Sequence, residues 1–188
     1  MDEQEDALTV VKIAISGHRR FSGKEQLRVA IRKVLREIIQ ANPGKEMWFY
    51  SPLAEGADQL AASTALEFPE IKLVVPLPLS QEEYFEDFLS EGGKQAFHTL
   101  SGKANKIIEL PAIRDHRQAY QRLGEYLIRE CDVLVALWDG EDGSDSGGTG
   151  EVVEKARASG RKVYWIYCKN GIKGGKKEKK VGEIEVLN

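Results

Sequence analysis

Five apolar runs separated by segments of helical rhythm restrict this chain more than any other feature of its sequence. The runs are Thr9 to Ser16, Met47 to Ser51, Ile71 to Pro76, Cys131 to Trp138 and Lys162 to Cys168. Each is short, rich in β-branched and aromatic residues, and almost continuously hydrophobic, as strands are when helices cover both faces of their sheet. Between them, Lys24 to Ala41, Glu55 to Glu67, Gln118 to Glu130 and Glu151 to Ala158 place apolar residues three and four apart, the spacing of an amphipathic helix. Strand alternating with helix predicts an α/β fold of the Rossmann-like class: a doubly wound, mainly parallel sheet joined by right-handed crossovers. Asn42-Pro43-Gly44 and Ser159-Gly160 supply the stops for two of the helices.

The rhythm breaks between Pro76 and Leu110. Gln81 to Leu89 reads as a short acidic helix, a second helix follows Gly92-Gly93, and Ile107 to Leu110 adds a short strand. We read about residues 77–110 as an insert or lid. With 188 residues the chain has material for one substantial core. The expected organisation is a single domain over residues 1–168 and a lysine- and glycine-rich tail over residues 169–188.

Charge and composition narrow the function. The net charge of -3 opposes broad binding to a phosphate backbone, which needs a concentrated excess of Lys and Arg, so nucleic acid is disfavoured as a partner. The tail is the local exception, with six lysines against three glutamates. It reads either as a solvated flexible segment or, less simply, as a polyanion patch. No stretch approaches the ~20 apolar residues of a membrane span, and Met1 to Asp6 is too acidic for a secretory n-region, so no membrane is expected and the cytoplasm is the expected compartment. Cys131 and Cys168 lie in apolar segments and read as small hydrophobes, with no metal site expected.

In an open parallel sheet, ligands bind beyond the carboxyl ends of the strands, so the residues that follow each strand are the candidates. They are Ser16, Gly17, His18, Arg19 and Arg20 after the first run; Glu55, Gly56, Ala57 and Asp58 after the second; and Asp139, Gly140, Gly147, Gly148, Thr149, Gly150 and Glu151 after the fourth. Glycines let the backbone approach a ligand, and a following helix presents unpaired N–H groups at its positive end, which suits phosphate. A packed strand-to-helix turn uses the same residues. Arg19 and Arg20 have the charge and the fork to hold a phosphate. His18 reads as a structural hydrogen-bonding group or a proton carrier; spacing identifies no carboxylate partner for it. Glu151 and Glu154 are three apart and share a helix face, where they either complement the dipole or serve a ribose hydroxyl or a water. Tyr84, Phe88, Tyr120 and Trp138 either stack on a base or fill the core. Neither a G-x-x-x-x-G-K-[ST] loop nor a G-x-G-x-x-G after the first run is present, which removes the main support for P-loop hydrolysis and ordinary dinucleotide redox chemistry.

Taken together, Ile15-Ser16-Gly17-His18-Arg19, Ser51 to Asp58, Leu77-Pro78-Leu79 with Glu83-Tyr84 and Asp87-Phe88, and Cys131 to Val153 resemble the SLOG superfamily. These Rossmann-like domains include the LOG phosphoribohydrolases, DprA and nucleotide-sensing domains, and the resemblance spans about residues 10–168. LOG enzymes carry P-G-G-x-G-T-x-x-E, against which this chain sets Ser146-Gly147-Gly148-Thr149-Gly150-Glu151-Val152-Val153-Glu154. The resemblance implies that Glu154 stands where the catalytic glutamate does, that Glu151 replaces the threonine, and that a homodimer forms. It implies a nucleotide-type ligand and no required cofactor. Two activities follow as expectations: binding or sensing of a nucleotide-derived ligand, or hydrolysis of its N-glycosidic bond by Glu154 or Glu151 with Arg19 or Arg20 on the phosphate.

Overall fold

The computed structural model describes residues 9–141, 148–169 and 179–188. Along the chain it builds β1 (Val10–Gly17), α1 (Lys24–Gln40), β2 (Glu46–Tyr50), α2 (Ala57–Ala65), β3 (Ile71–Leu77), α3 (Gln81–Glu86), α4 (Glu91–Ser101), β4 (Lys106–Glu109), α5 (His116–Glu130), β5 (Val133–Trp138), α6 (Thr149–Ala158), β6 (Lys162–Tyr167) and β7 (Ile184–Leu187). The strands form one sheet in the order β4-β3-β2-β1-β5-β6-β7. All neighbours from β4 to β6 are parallel, and β7 runs antiparallel to β6. The protein therefore has the α/β, Rossmann-like, doubly wound architecture that the alternation of runs requires.

Near-continuous hydrophobicity in the strands reflects two cores. Successive strand residues point to opposite faces, so Ile13, Ile15, Phe49, Leu73, Val75 and Leu137 join the core under α1 to α4, whereas Ala14, Tyr50, Val74, Ala136 and Trp138 join the core under α5 and α6. On the first face α1 contributes Leu27, Ile31, Val34, Leu35 and Ile38, all at most 2% exposed. Helix α5 covers the other face with Leu123, Leu127 and Ile128.

Two expectations from the sequence are corrected. Residues 77–110 are no lid: α3 and α4 are the crossover that carries β3 to its parallel neighbour β4, and their aromatics are core. Tyr84, Phe88 and Phe97 form one cluster with ring centroids 5.0–5.9 Å apart, Tyr84 edge-on to both phenylalanines, each at most 6% exposed. The second correction concerns the tail, whose described residues 179–188 are not a solvated segment. Ile184 to Leu187 pair with Val163 to Ile166, and Lys179 lays its ammonium 3.8 Å from the Trp165 ring centroid, a cation–π contact. The short run, with Glu183 before it and Glu185 within it, hid this strand, because an edge strand buries little of either face. Among the described residues no helix is long and apolar enough to cross a membrane.

Candidate functional site

The order of the sheet reverses at β1. The chain moves outward through β2, β3 and β4, then returns to place β5 on the other side of β1. Crossovers on the two sides therefore use helices on opposite faces, and their loops part above the β1–β5 seam, where open α/β sheets bind ligands. A cleft of about 370 Å³ lies there, at the small end of ligand pockets. Its lining joins Ile15 to Arg19 from the end of β1, Pro52, Ala54 and Asp58 from the β2–α2 turn, Tyr84 from α3, Tyr120, Leu123, Gly124 and Leu127 from α5, and Gly148, Thr149 and Val152 at the start of α6.

Close backbone packing shapes its rim. A Cβ on Gly17 would fall 2.5 Å from the Ala57 Cβ and 2.9 Å from Leu137, so only glycine lets β1 end between β5 and α2. Gly56 has φ +94° and a Cβ there would meet the Arg19 carbonyl oxygen at 2.3 Å. Both glycines thus fasten the first two turns to each other, and Ala57 N–H donates to the His18 carbonyl at 3.1 Å. In the same turn Leu53 is fully buried yet left-handed, at φ 59°, a conformation that costs a non-glycine residue energy. It is held by its N–H to Ser51 Oγ and by Gln59 Nε2 donating to its carbonyl.

His18 has the carboxylate partner that spacing could not show. Its Nε2 lies 3.1 Å from Asp139 Oδ1 and 3.2 Å from the Asp139 amide nitrogen. Protonated, Nε2 donates to the carboxylate; unprotonated, it accepts the amide N–H. The Glu141 N–H also donates to Asp139 Oδ1, so Asp139 is oriented from both sides. Cys168 sits nearby in charge terms: burial first, then Asp139, push its thiol up to about 12.

The floor of the cleft is polar and buried. Asp58 is only 7% exposed; burial pushes its carboxyl up to about 7, against the opposing pull of the Ala54 amide and the Arg19 guanidinium. Tyr84 is 1% exposed, and among the described residues its hydroxyl has no hydrogen-bond partner. Burial, and next the Asp58 charge, hold that phenol well above its ordinary range. Arg19, exposed to solvent, sits with its guanidinium carbon 5.9 Å from the Tyr120 ring centroid. The Tyr120 hydroxyl donates to Asp87 Oδ2 at 2.6 Å, and burial together with that carboxylate raises its pKa.

The remaining candidates divide sharply. Ser16, Gly17, His18, Arg19, Asp58, Gly148 and Thr149 meet in the cleft. Asp139 and Ala57 stand behind it, bonded to His18, and Gly140 packs against Trp165. Arg20 is exposed and does not line the cleft. Glu55 is turned away: it accepts from the Leu89 and Ser90 amides and the Ser90 hydroxyl, tying the start of α4 to the β2–α2 turn. Although burial opposes it, these bonds hold its carboxyl below the usual range. Gly150 is buried in the first turn of α6. Glu151 pairs with Lys155 at 2.8 Å, and Glu154, with its side chain 61% exposed, pairs with Arg157 at 3.3 Å. Neither glutamate lines the cleft. Gly147 lies outside the described residues.

The α6 start has the form that suits an anion. Gly148 precedes Thr149 as the N-cap, and among the described residues no side chain caps the helix, so its first N–H groups face the cleft end with the positive dipole. No group of three or more His, Cys, Asp or Glu among the described residues is placed to hold a metal. Compared with protein-family models and with curated proteins, the chain has no significant match. Sequence reasoning placed Tyr84 among ring-stacking or core residues and did not foresee its unsatisfied hydroxyl; nothing in a sequence reports that a phenol lacks a partner.

Proposed function

We propose that this protein binds or senses a small nucleotide-derived ligand in the cleft above the β1–β5 seam. The observation that carries the reading is convergence: the β1 turn, the β2–α2 turn and the start of α6 meet around one cavity at the reversal of strand order. Phosphate is taken by the α6 amides with Arg19 as counter-charge, and the base lies on the apolar wall of Leu123, Leu127 and Val152. This is the ligand class that the SLOG resemblance implies, and we assign the chain to that superfamily as part of the same proposal. Isothermal titration of the folded protein with ribonucleoside 5′-monophosphates, cyclic nucleotides and sugar-linked nucleotides tests it. Binding that weakens on Arg19→Ala supports the reading, and absence of binding across the panel refutes it.

One observation favours a second reading, cleavage of the ligand's N-glycosidic bond. A carboxyl that titrates near neutrality inside a cleft is suited to general acid–base work, and Asp58 is such a group. In this reading Asp58, in its ionised form, accepts a proton from the water whose oxygen bonds to the anomeric carbon, while the C–N bond breaks and the base leaves with the bonding pair, taking up a proton from solvent. Glu154 is exposed and paired with Arg157 outside the cleft, which supports Asp58 over it as the acting carboxylate. Base release followed by chromatography decides between the readings: release abolished by Asp58→Asn and unchanged by Glu154→Gln identifies the enzyme and its carboxylate.

A further inference from the structure

Most polar groups that line the cleft are engaged by the protein itself. His18 is held by Asp139, Arg19 lies over Tyr120, and Tyr120 donates to Asp87. Tyr84 differs, because its hydroxyl is buried and yet, among the described residues, has no hydrogen-bond partner. A buried hydroxyl without a partner is costly and rare in folded proteins. Its ring is fixed by Phe88 and Phe97, so core packing accounts for the ring but not for the oxygen; phenylalanine would pack as well there. The same residue lines the cleft together with Asp58, and the two are near enough for the Asp58 charge to act on the phenol.

We propose that the Asp58 carboxyl and the Tyr84 hydroxyl form one hydrogen-bonding station that takes the furanose hydroxyls of the ligand. This rests on the reading that the cleft binds a nucleotide-derived ligand, and it adds which part of that ligand goes where. Phosphate is the wrong occupant, since a carboxylate at the floor repels it and the α6 amides offer a better place. A purely apolar group leaves the Tyr84 hydroxyl unpaired. A sugar hydroxyl does what the pair needs, donating to the carboxylate and accepting from the phenol. The apolar wall formed by Leu123, Leu127 and Val152 then receives the base, and the ligand lies with its sugar inward and its phosphate at Gly148 and Thr149.

The test compares ribonucleoside 5′-monophosphates with their 2′,3′-dideoxy counterparts by isothermal titration against the wild type, Tyr84→Phe and Asp58→Asn. Ribose 5-phosphate serves as a base-free probe. The expected result is that the wild type prefers the ribo form by about tenfold or more, the size of one or two hydrogen bonds lost from a buried site, and that each variant reduces that preference. Tyr84→Phe should also melt no lower than the wild type, because it removes an unsatisfied group; loss of ligand preference in a protein of undiminished stability separates recognition from misfolding. Equal binding of ribo and dideoxy forms by the wild type overturns the station while leaving the nucleotide reading intact, as does a preference that survives in both variants. Failure of every nucleotide and of ribose 5-phosphate to bind folded wild type overturns the nucleotide reading itself.

Discussion

Replacing Asp58 by asparagine should make the protein more stable, and increasingly so as pH rises. In the unfolded chain the carboxyl titrates near 3.8, whereas in the fold burial holds it at about 7. Below pH 3.8 both states are protonated and the residue contributes no pH dependence. Between these values the unfolded chain releases a proton that the folded one keeps, so wild-type stability falls as pH rises, and above 7 the loss is constant. Three units at about 1.4 kcal/mol each amount to about 4 kcal/mol for the full range. Asparagine keeps an acceptor for the Ala54 amide and carries no charge, so its stability lacks this slope; the lost attraction to Arg19 enters as a smaller opposing effect. From pH 4.5 to pH 8 the advantage of the variant should therefore grow by about 3 kcal/mol, which is roughly 6–12 °C in melting temperature for a domain of this size. Urea unfolding of both proteins across that range measures it directly. Parallel stability curves for wild type and variant would show that burial does not hold Asp58 near neutrality, and the acid–base reading of the cleft would fall with that result.

Three further outcomes test the architecture. Glu55→Gln should loosen the tie between α4 and the β2–α2 turn and cost about 1–3 kcal/mol. Because the native carboxyl titrates below its unfolded value, the wild-type advantage is present above that unfolded value and disappears as pH falls through the folded one; an unchanged acid limb of the unfolding curve would contradict the role. Gly17→Ala drives a methyl into Ala57 and Leu137 and should destabilise by about 1–3 kcal/mol or more, with ligand binding lost along with it; a variant of wild-type stability would disprove the close approach. Deleting residues 183–188 uncovers β6 and the Trp165 edge, which should red-shift tryptophan emission and increase self-association through the freed strand; unchanged emission and a monodisperse sedimentation profile would show that β7 is dispensable.

The fold was legible because its strongest constraint is local. A run such as Cys131 to Trp138 is hydrophobic on both faces, and only a sheet with helices on both sides accommodates five of them. The position of the candidate cleft was legible too, since strand ends are where Gly17, Gly56 and Gly148 sit. Partners were not. His18 and Asp139 are 121 residues apart, and Glu55 reaches Ser90 across the crossover; such pairs are created by topology and leave no mark at short range. Glu154 differs: its place in a motif-like string suggested chemistry, and helix phase carries its side chain out toward solvent, where it pairs with Arg157. Residues 77–110 looked like an insertion because α3 is only six residues long, yet two short helices can carry a crossover as well as one long helix.

Strand-order reversal also decides which parts of the polypeptide must be present together. Everything from β1 to β4 and its helices supplies one jaw, holding His18, Asp58 and Tyr84, while β5 and α6 supply the other, with Asp139 and the Gly148–Thr149 amides. A molecule gripped by both jaws fastens the N-terminal and C-terminal halves of the polypeptide to each other, much as a clasp closes a folded strap. On the proposed reading, occupancy would be coupled to the integrity of the whole sheet, and neither half alone would hold a complete grip.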